Sequence, residues 1–166
     1  MSYTTLHDWL NEKGAQNEEL IREVMFRTRC CIPAIVQSYN QQKNTVECQP
    51  AIREKVNLEG NESYVNMPLL IEVPVAFPGN AEYGIRFPIN PGDEVLVVFS
   101  DLSIDNFWLY GNVQNPVEGR RHDLSDGIAI PCNLSLKKTT PPVNELTLYQ
   151  DGMQLTFSQL YEAVHR

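Results

Sequence analysis

Residues 32–53 decide the fold, and they read IPAIVQSYNQQKNTVECQPAIR. In the second half of this stretch the apolar positions alternate with other residues: Val46, Cys48, Pro50 and Ile52. A period of two is typical of a strand with one buried face. Residues 32–39 predict a preceding strand, and the polar residues 40–44 have the length of a hairpin turn. The chain is therefore expected to build β-hairpins from residue 31 onward.

Three further strands are predicted downstream. One follows an alternating run: Val65, Met67, Leu69, Ile71, Val73 and Val75. Pro68 and Pro74 interrupt its other face, and because proline cannot donate ladder hydrogen bonds, this strand should lie at an edge or contain a bulge. Residues 95–99 are apolar on both faces, which predicts a central strand. The aromatic-rich segment 107–113 predicts the last strand.

Five strands with polar connections predict a mainly β protein with a small closed barrel of the oligonucleotide/oligosaccharide-binding (OB) type, although a sandwich is compatible with the same pattern. The expected organisation is an N-terminal helical segment (1–29), the barrel (30–131), a linker (132–142) that ends at Pro141-Pro142, and a short C-terminal β segment (143–166).

The N-terminal segment predicts two short helices within residues 5–28, separated at Gly14. Leu6, Trp9 and Leu10 form one apolar stripe, and Leu20, Ile21, Val24 and Met25 form another. The favoured interpretation is that these helices pack on their own domain. The alternative is that Trp9 and Leu10 dock on a partner.

The charge argues against nucleic acid as a partner. The 166 residues carry 13 Lys and Arg against 21 Asp and Glu, a net charge of −8. Sequence-independent phosphate binding depends on clustered cations, which this acidic chain lacks. The longest apolar run has only five residues, 95–99, and the N-terminus lacks a basic stretch followed by an apolar core. We therefore expect neither a signal peptide nor a membrane span.

No metal site and no cofactor are predicted. The four cysteines have no C-x-x-C spacing, and we expect Cys30, Cys31, Cys48 and Cys132 to be buried thiols. The histidines share no metal-ligand spacing, and the glycines form no phosphate-binding loop.

The one candidate for catalysis is the segment 120–126, RRHDLSD, where His122 could serve as a base with Asp126. Neighbouring residues rarely converge into a triad. We therefore favour a framework loop in which Asp123 and Asp126 accept backbone or arginine hydrogen bonds, and we expect no enzyme activity. The aromatic segment 107–110 contains no cation, so its rings are expected in the core or at a protein interface.

The tail predicts two short strands around Asp151-Gly152, followed by a helical stretch at 158–164. Leu146, Leu148, Leu155 and Phe157 fall on one face. A two-stranded ribbon is marginal in water, so the tail should fold on the barrel or associate with copies of itself.

Several segments, in order, carry a family resemblance: IPAIV (32–36), MPLL (67–70), VPV (73–75), FPI (87–89) and HDLSD (122–126). Over residues 30–131 the chain resembles the N-terminal domain of the central spike proteins of contractile-tailed bacteriophages. The resemblance implies an OB-type barrel that forms a homotrimer beneath the baseplate hub. It also implies continuation into an intertwined trimeric β-prism that pierces the target cell envelope.

That resemblance implies a structural protein of the tail baseplate of a phage or a bacteriocin-like injection particle. Leu146, Leu148, Leu155 and Phe157 would form the trimer interface, and Trp9 and Leu10 would contact the hub or neighbouring baseplate proteins. The region after Pro142 is too short for a long needle at about 3.3 Å per residue, which favours a blunt spike base with a separate tip protein. The other hypotheses are an OB-type module that binds oligonucleotide or glycan, and a small hydrolase using His122 and Asp126.

Overall fold

The computed structural model describes residues 14, 17–25, 28–58, 61–80, 82–138, 147–150 and 153–164. The chain divides into two compact units, Met1–Leu134 and Ser135–Arg166. The first unit is built mainly from antiparallel strands.

The first unit is organised by a curled five-stranded antiparallel sheet. Its strands are β1 (Cys31–Asn40), β2 (Thr45–Pro50), β5 (Leu70–Pro74), β6 (Glu94–Phe99) and β7 (Gly127–Pro131), in the spatial order β5-β2-β1-β6-β7. Between β2 and β5 the chain forms a separate ribbon of β3 (Glu54–Leu58) and β4 (Asn61–Val65). The predicted hairpin of residues 32–53 is confirmed as β1 and β2, except that Ile52 lies beyond the strand and is exposed.

The two edges of the curled sheet meet at one point. Val75, directly after β5, forms an isolated parallel bridge with Ala129 of β7, and the Ala76 N–H donates to the Ala129 carbonyl at 2.8 Å. This contact brings the first and last strands of the spatial order together and encloses the core.

The core follows from the alternation of the strands. The buried apolar side chains inside the curl include Ala34, Val36, Val46, Cys48, Val73, Val95, Val97, Phe99 and Ala129. In β6 the predicted central position is confirmed, since this strand pairs with β1 on one side and β7 on the other.

Gly127 marks the tightest point of this core. A Cβ on Gly127 would lie 2.8 Å from Cγ1 of Val97 and 3.5 Å from Cε1 of Phe99. We expect Gly127→Val to lower the free energy of unfolding by about 1–3 kcal/mol through overpacking. Urea denaturation checks this, with Gly119→Val as the control because a Cβ on Gly119 meets nothing within 4 Å. Equal stability of the two variants would contradict the proposed overpacking.

The strand predicted over residues 65–75 is confirmed only in part. As expected, β5 lies at the edge of the sheet, and its register with β2 is irregular. Leu69 and Ile71 were predicted on the buried face, but they are exposed, and Leu70 is buried instead. Glu72 adopts a left-handed conformation with φ 52°, which changes the side on which the following residues lie.

The strand predicted over residues 107–113 is wrong, because residues 105–110 form helix α2 (Asp105–Tyr110). The fifth strand of the sheet is β7 instead, which starts at Gly127 and ends at Pro131. The predicted core position of the aromatic rings is also wrong, since none of the α2 side chains is buried.

In the N-terminal segment, Gly14 and residues 17–25 are helical, and we name the latter α1. The predicted break therefore does not fall at Gly14 itself. Leu20, Ile21, Val24 and Met25 are exposed, so packing of this helix on its own domain is not observed. The first predicted helix, with Trp9 and Leu10, lies outside the described residues.

The second unit contains a short antiparallel ribbon and a helix. The ribbon pairs β8 (Thr147–Gln150) with β9 (Met153–Thr156), and Leu148 is the register partner of Leu155. The predicted helical stretch is confirmed as α3 (Phe157–Val164). Phe157 is thus the first residue of the helix, whereas it was predicted as the end of the strand.

Candidate functional site

A buried carboxylate organises the excursion between β6 and β7. Asp126 is completely buried at the end of a 3₁₀ turn (Leu124–Asp126). Arg120 holds both of its oxygens: Nε donates to Oδ2 at 2.6 Å and Nη2 donates to Oδ1 at 2.9 Å. Because a buried charge is stable only when it is paired and hydrogen-bonded, this two-point contact fixes the loop.

The same pair positions α2. The Ile104 N–H donates to Oδ1 of Asp126 at 3.0 Å, directly before the helix, and Nη2 of Arg120 also contacts Oδ2 of Asp105 at 2.6 Å. Glu118 accepts from the remaining side of the guanidinium. Hydrogen bonds to Asp126, Asp105 and Glu118 raise the pKa of Arg120, so this cation stays charged. We call Arg120, Asp126, Asp105 and Glu118 the Arg120 cluster.

The helix α2, which the Arg120 cluster holds, exposes four large side chains to solvent. Phe107, Trp108, Leu109 and Tyr110 are 58%, 41%, 65% and 70% exposed. Neighbouring Val113 is also fully accessible. These four consecutive residues point to different sides of the helix, so large apolar side chains are exposed around much of α2. Of the two positions predicted for these rings, the core is contradicted by their exposure, and the protein interface stays a prediction.

The candidate catalytic residues do not converge. His122 has a left-handed backbone (φ 50°), with Nδ1 3.0 Å from the Arg29 carbonyl and Nε2 3.0 Å from Oδ1 of Asp101. Asp126, its proposed partner, is held by Arg120. The Ser125 hydroxyl donates to Asp123 at 2.6 Å. The expected framework loop is confirmed. Asp123 accepts a hydrogen bond from the Ser125 N–H, and Asp126 accepts from the Ile104 N–H and from the Arg120 guanidinium.

Asp123 caps the 3₁₀ turn by accepting from the Ser125 N–H at 2.9 Å. The hydrogen bonds from the Ser125 side chain and backbone lower the pKa of Asp123 below its ordinary value of 3.8. A carboxylate with a lowered folded pKa contributes stability above its unfolded pKa, and the contribution is lost as the pH falls through the folded pKa.

We therefore expect Asp123→Ala to destabilise the protein by about 1 kcal/mol at neutral pH, with the difference from the unaltered protein shrinking well below pH 3.8. Urea denaturation of both proteins at neutral and at strongly acidic pH measures this. Glu82→Ala, on an exposed loop, is the control for removal of a surface carboxylate and should leave stability at neutral pH nearly unchanged. A difference that is the same at both pH values would contradict the role of the charged cap.

The cysteines differ from the prediction in three of four cases. Cys48 is buried, and burial raises its pKa to about 11, so it stays a thiol. Cys30 and Cys31 are exposed and Cys132 is half-buried. Within the described residues, no group of three or more His, Cys, Asp and Glu side chains is placed to hold a metal ion.

An open cleft of about 510 Å³ lies at the β1–β2 turn. It is lined by Ser38, Tyr39, Asn40, Gln41, Gln42, Thr45, Glu47 and Glu72. Lys43 at this turn is already paired with Glu72 at 2.5 Å. Two glutamates at the cleft repel phosphate, so the cleft does not favour an oligonucleotide.

The residues predicted for association are only partly described. Trp9, Leu10 and Leu146 lie outside the described residues, whereas Leu148 and Leu155 are register partners in the β8–β9 ladder. Sequence reasoning missed the Arg120 cluster as the support of α2. Its signal was present in RRHDLSD, where arginines directly precede two aspartates, but the partner helix lies about fifteen residues upstream.

The first unit is thus a curled antiparallel sheet that carries an exposed aromatic helix, α2. The family described as "Phage protein Gp138 N-terminal domain" matches residues 32–132, which is more than half of the chain. The chain belongs to this family and is a phage structural protein. A search of curated proteins found no match. No helix in the described residues is long and apolar enough to cross a membrane.

Proposed function

We propose that the chain is the base of a homotrimeric central spike in the baseplate of a contractile phage tail or a related injection particle, where it helps to pierce the target cell envelope. The observation that carries this proposal is the C-terminal ribbon, whose two strands have four residues each. Such a ribbon is marginal alone, and the alternation in its sequence gives it an apolar face that three copies wound together would bury.

The sheet supports the barrel part of the proposal. The five strands curl until the edge after β5 contacts β7 in parallel through Val75 and Ala129. We assign this closure to an OB-type barrel, which is five-stranded and partly open. The long excursions between its strands are then free to carry contact surfaces such as α2.

The role we propose is mechanical and non-enzymatic. The polar side chains of the 120–126 segment are engaged in holding the loop and α2, as the contacts of Arg120, His122 and Asp123 show. The exposed rings of α2 would contact the hub or a neighbouring baseplate protein, together with Trp9 and Leu10. A separate tip protein would sit on the C-terminal unit.

The mass of the full chain in solution tests the proposal. Sedimentation equilibrium at micromolar concentration should give three times the chain mass of 18.9 kDa. A stable single-copy mass would overturn it. Titration with single-stranded DNA and with glycans, at low and high salt, tests the alternative, because salt-sensitive DNA binding or glycan retention would favour an OB-type binding module.

A further inference from the structure

The solvent side of the central sheet is apolar where a one-sided antiparallel sheet usually carries polar residues. In β1, β6 and β7 the inward positions include Ala34, Val95, Val97 and Ala129, so the alternate positions point outward. These outward residues form two adjacent rows across three strands: Cys31, Val98 and Ile128 in one, and Pro33, Leu96 and Ile130 in the other. We call these six residues the outer apolar face.

Part of this face is open to solvent, since Val98 is 36% and Ile130 40% exposed. A second open apolar surface lies on α1, where Leu20, Ile21, Val24 and Met25 share one side of the helix. Each of the four is more than half exposed. We call them the α1 stripe. One copy of the chain therefore presents both a helical stripe and a flat apolar sheet face.

Within one copy the α1 stripe does not cover the outer apolar face, since its four side chains are exposed. The Thr28 N–H and hydroxyl both donate to the Val24 carbonyl, at 3.0 and 2.9 Å, which ties Thr28 to the end of α1. Only Arg29 and Cys30 then precede β1. The Arg29 carbonyl contacts His122 and the Cys30 carbonyl accepts from the Phe99 N–H, so both connecting residues are held by the sheet unit.

Thr28, Arg29 and Cys30 are held in this way and the α1 stripe is exposed, so α1 does not pack on its own sheet. We infer that the α1 stripe of each copy packs on the outer apolar face of a neighbouring copy. This inference rests on the proposed homotrimer and specifies how its barrels contact each other. Each copy then uses its α1 stripe on one neighbour and its outer apolar face on the other, which is a head-to-tail contact. In a closed ring of copies every stripe and every face is covered.

Disulfide crosslinking between copies tests this contact. The full chain first receives Cys30→Ser, Cys31→Ala and Cys132→Ser, which leaves only the buried Cys48. An affinity-tagged copy with Val24→Cys is then coexpressed with an untagged copy carrying Ile130→Cys, and the mixture is oxidised. We expect a covalent tagged–untagged dimer on a non-reducing gel, because a disulfide forms only when the two Cα atoms lie within about 7 Å.

Glu19→Cys replaces Val24→Cys in the matched control, since Glu19 lies on the opposite side of α1. The control should give about tenfold less dimer, because its thiol faces away from the sheet. Equal dimer from both, or dimer from neither, would overturn the inference. Sedimentation of the unoxidised mixture separates the two proposals: a trimer without crosslink contradicts only the α1 contact, whereas a single-copy mass contradicts the homotrimer as well.

Discussion

Asp126→Ala is expected to lower the free energy of unfolding by about 3 kcal/mol, the lower end of the range for breaking a buried ion pair, because Arg120 keeps some access to water. The substitution removes both acceptors of the Arg120 guanidinium contact and the acceptor of the Ile104 N–H. Urea denaturation at fixed protein concentration measures the loss.

Glu118→Ala is the matched control, because Glu118 contacts the same guanidinium through an exposed carboxylate. We expect it to change stability by less than about 1 kcal/mol. Asp126→Asn is the second variant in case Asp126→Ala does not fold, since the amide oxygen can still accept from Ile104. Comparable effects of Asp126→Ala and Glu118→Ala would show that burial of Asp126 is not what makes the cluster important.

This cluster also explains where prediction from sequence succeeded and failed. The β1–β2 hairpin and β6 could be predicted because alternation and turn residues are local signals. Residues 107–110 are aromatic and apolar, which favours a strand, yet they are helical. The contacts that hold α2 come from Asp126 and Arg120, both far along the chain, and such tertiary contacts override local propensity.

Two further predictions were wrong for local reasons that the hydrophobic pattern does not reveal: the buried face of residues 69–71 and the position of the last strand. The faces of Leu69 and Ile71 were inverted because Glu72 takes a left-handed backbone, a conformation that sequence does not announce for glutamate. The strand β7 is short and bounded by glycine and proline, which are signals of turns. In contrast, the hydrogen bonds of Asp123 were predictable, since aspartate before a short turn commonly caps it.

The two surfaces that matter for assembly differ in the same way. The α1 stripe can be predicted from the sequence, because its apolar residues recur with helical spacing. The structure was needed only to show that these side chains are exposed. The outer apolar face requires the register of three strands, because Pro33 lies 63 positions before Leu96 (96 − 33) and Val98 lies 30 before Ile128 (128 − 98). Pairing of this kind is not encoded in any single window of sequence.

The double variant Leu148→Ser with Leu155→Ser is expected to convert the proposed trimer into single copies. The two leucines are register partners in the β8–β9 ladder, and the alternation in sequence places them on the apolar face of the ribbon. Each buried leucine contributes roughly 2 kcal/mol, and a trimer would bury two from every copy. Their loss removes most of the hydrophobic energy that holds three ribbons together.

Sedimentation equilibrium reads this change directly as a fall from three chain masses to one, and circular dichroism checks that the sheet unit stays folded. The unit Met1–Leu134 should keep its structure, because its core does not include the ribbon. The control is Thr147→Ser with Thr156→Ser, at the adjacent register pair, which should leave the trimer intact. A trimer that survives the leucine variant would place the energy of assembly in the sheet units instead, where the α1 stripe and the outer apolar face would have to supply it.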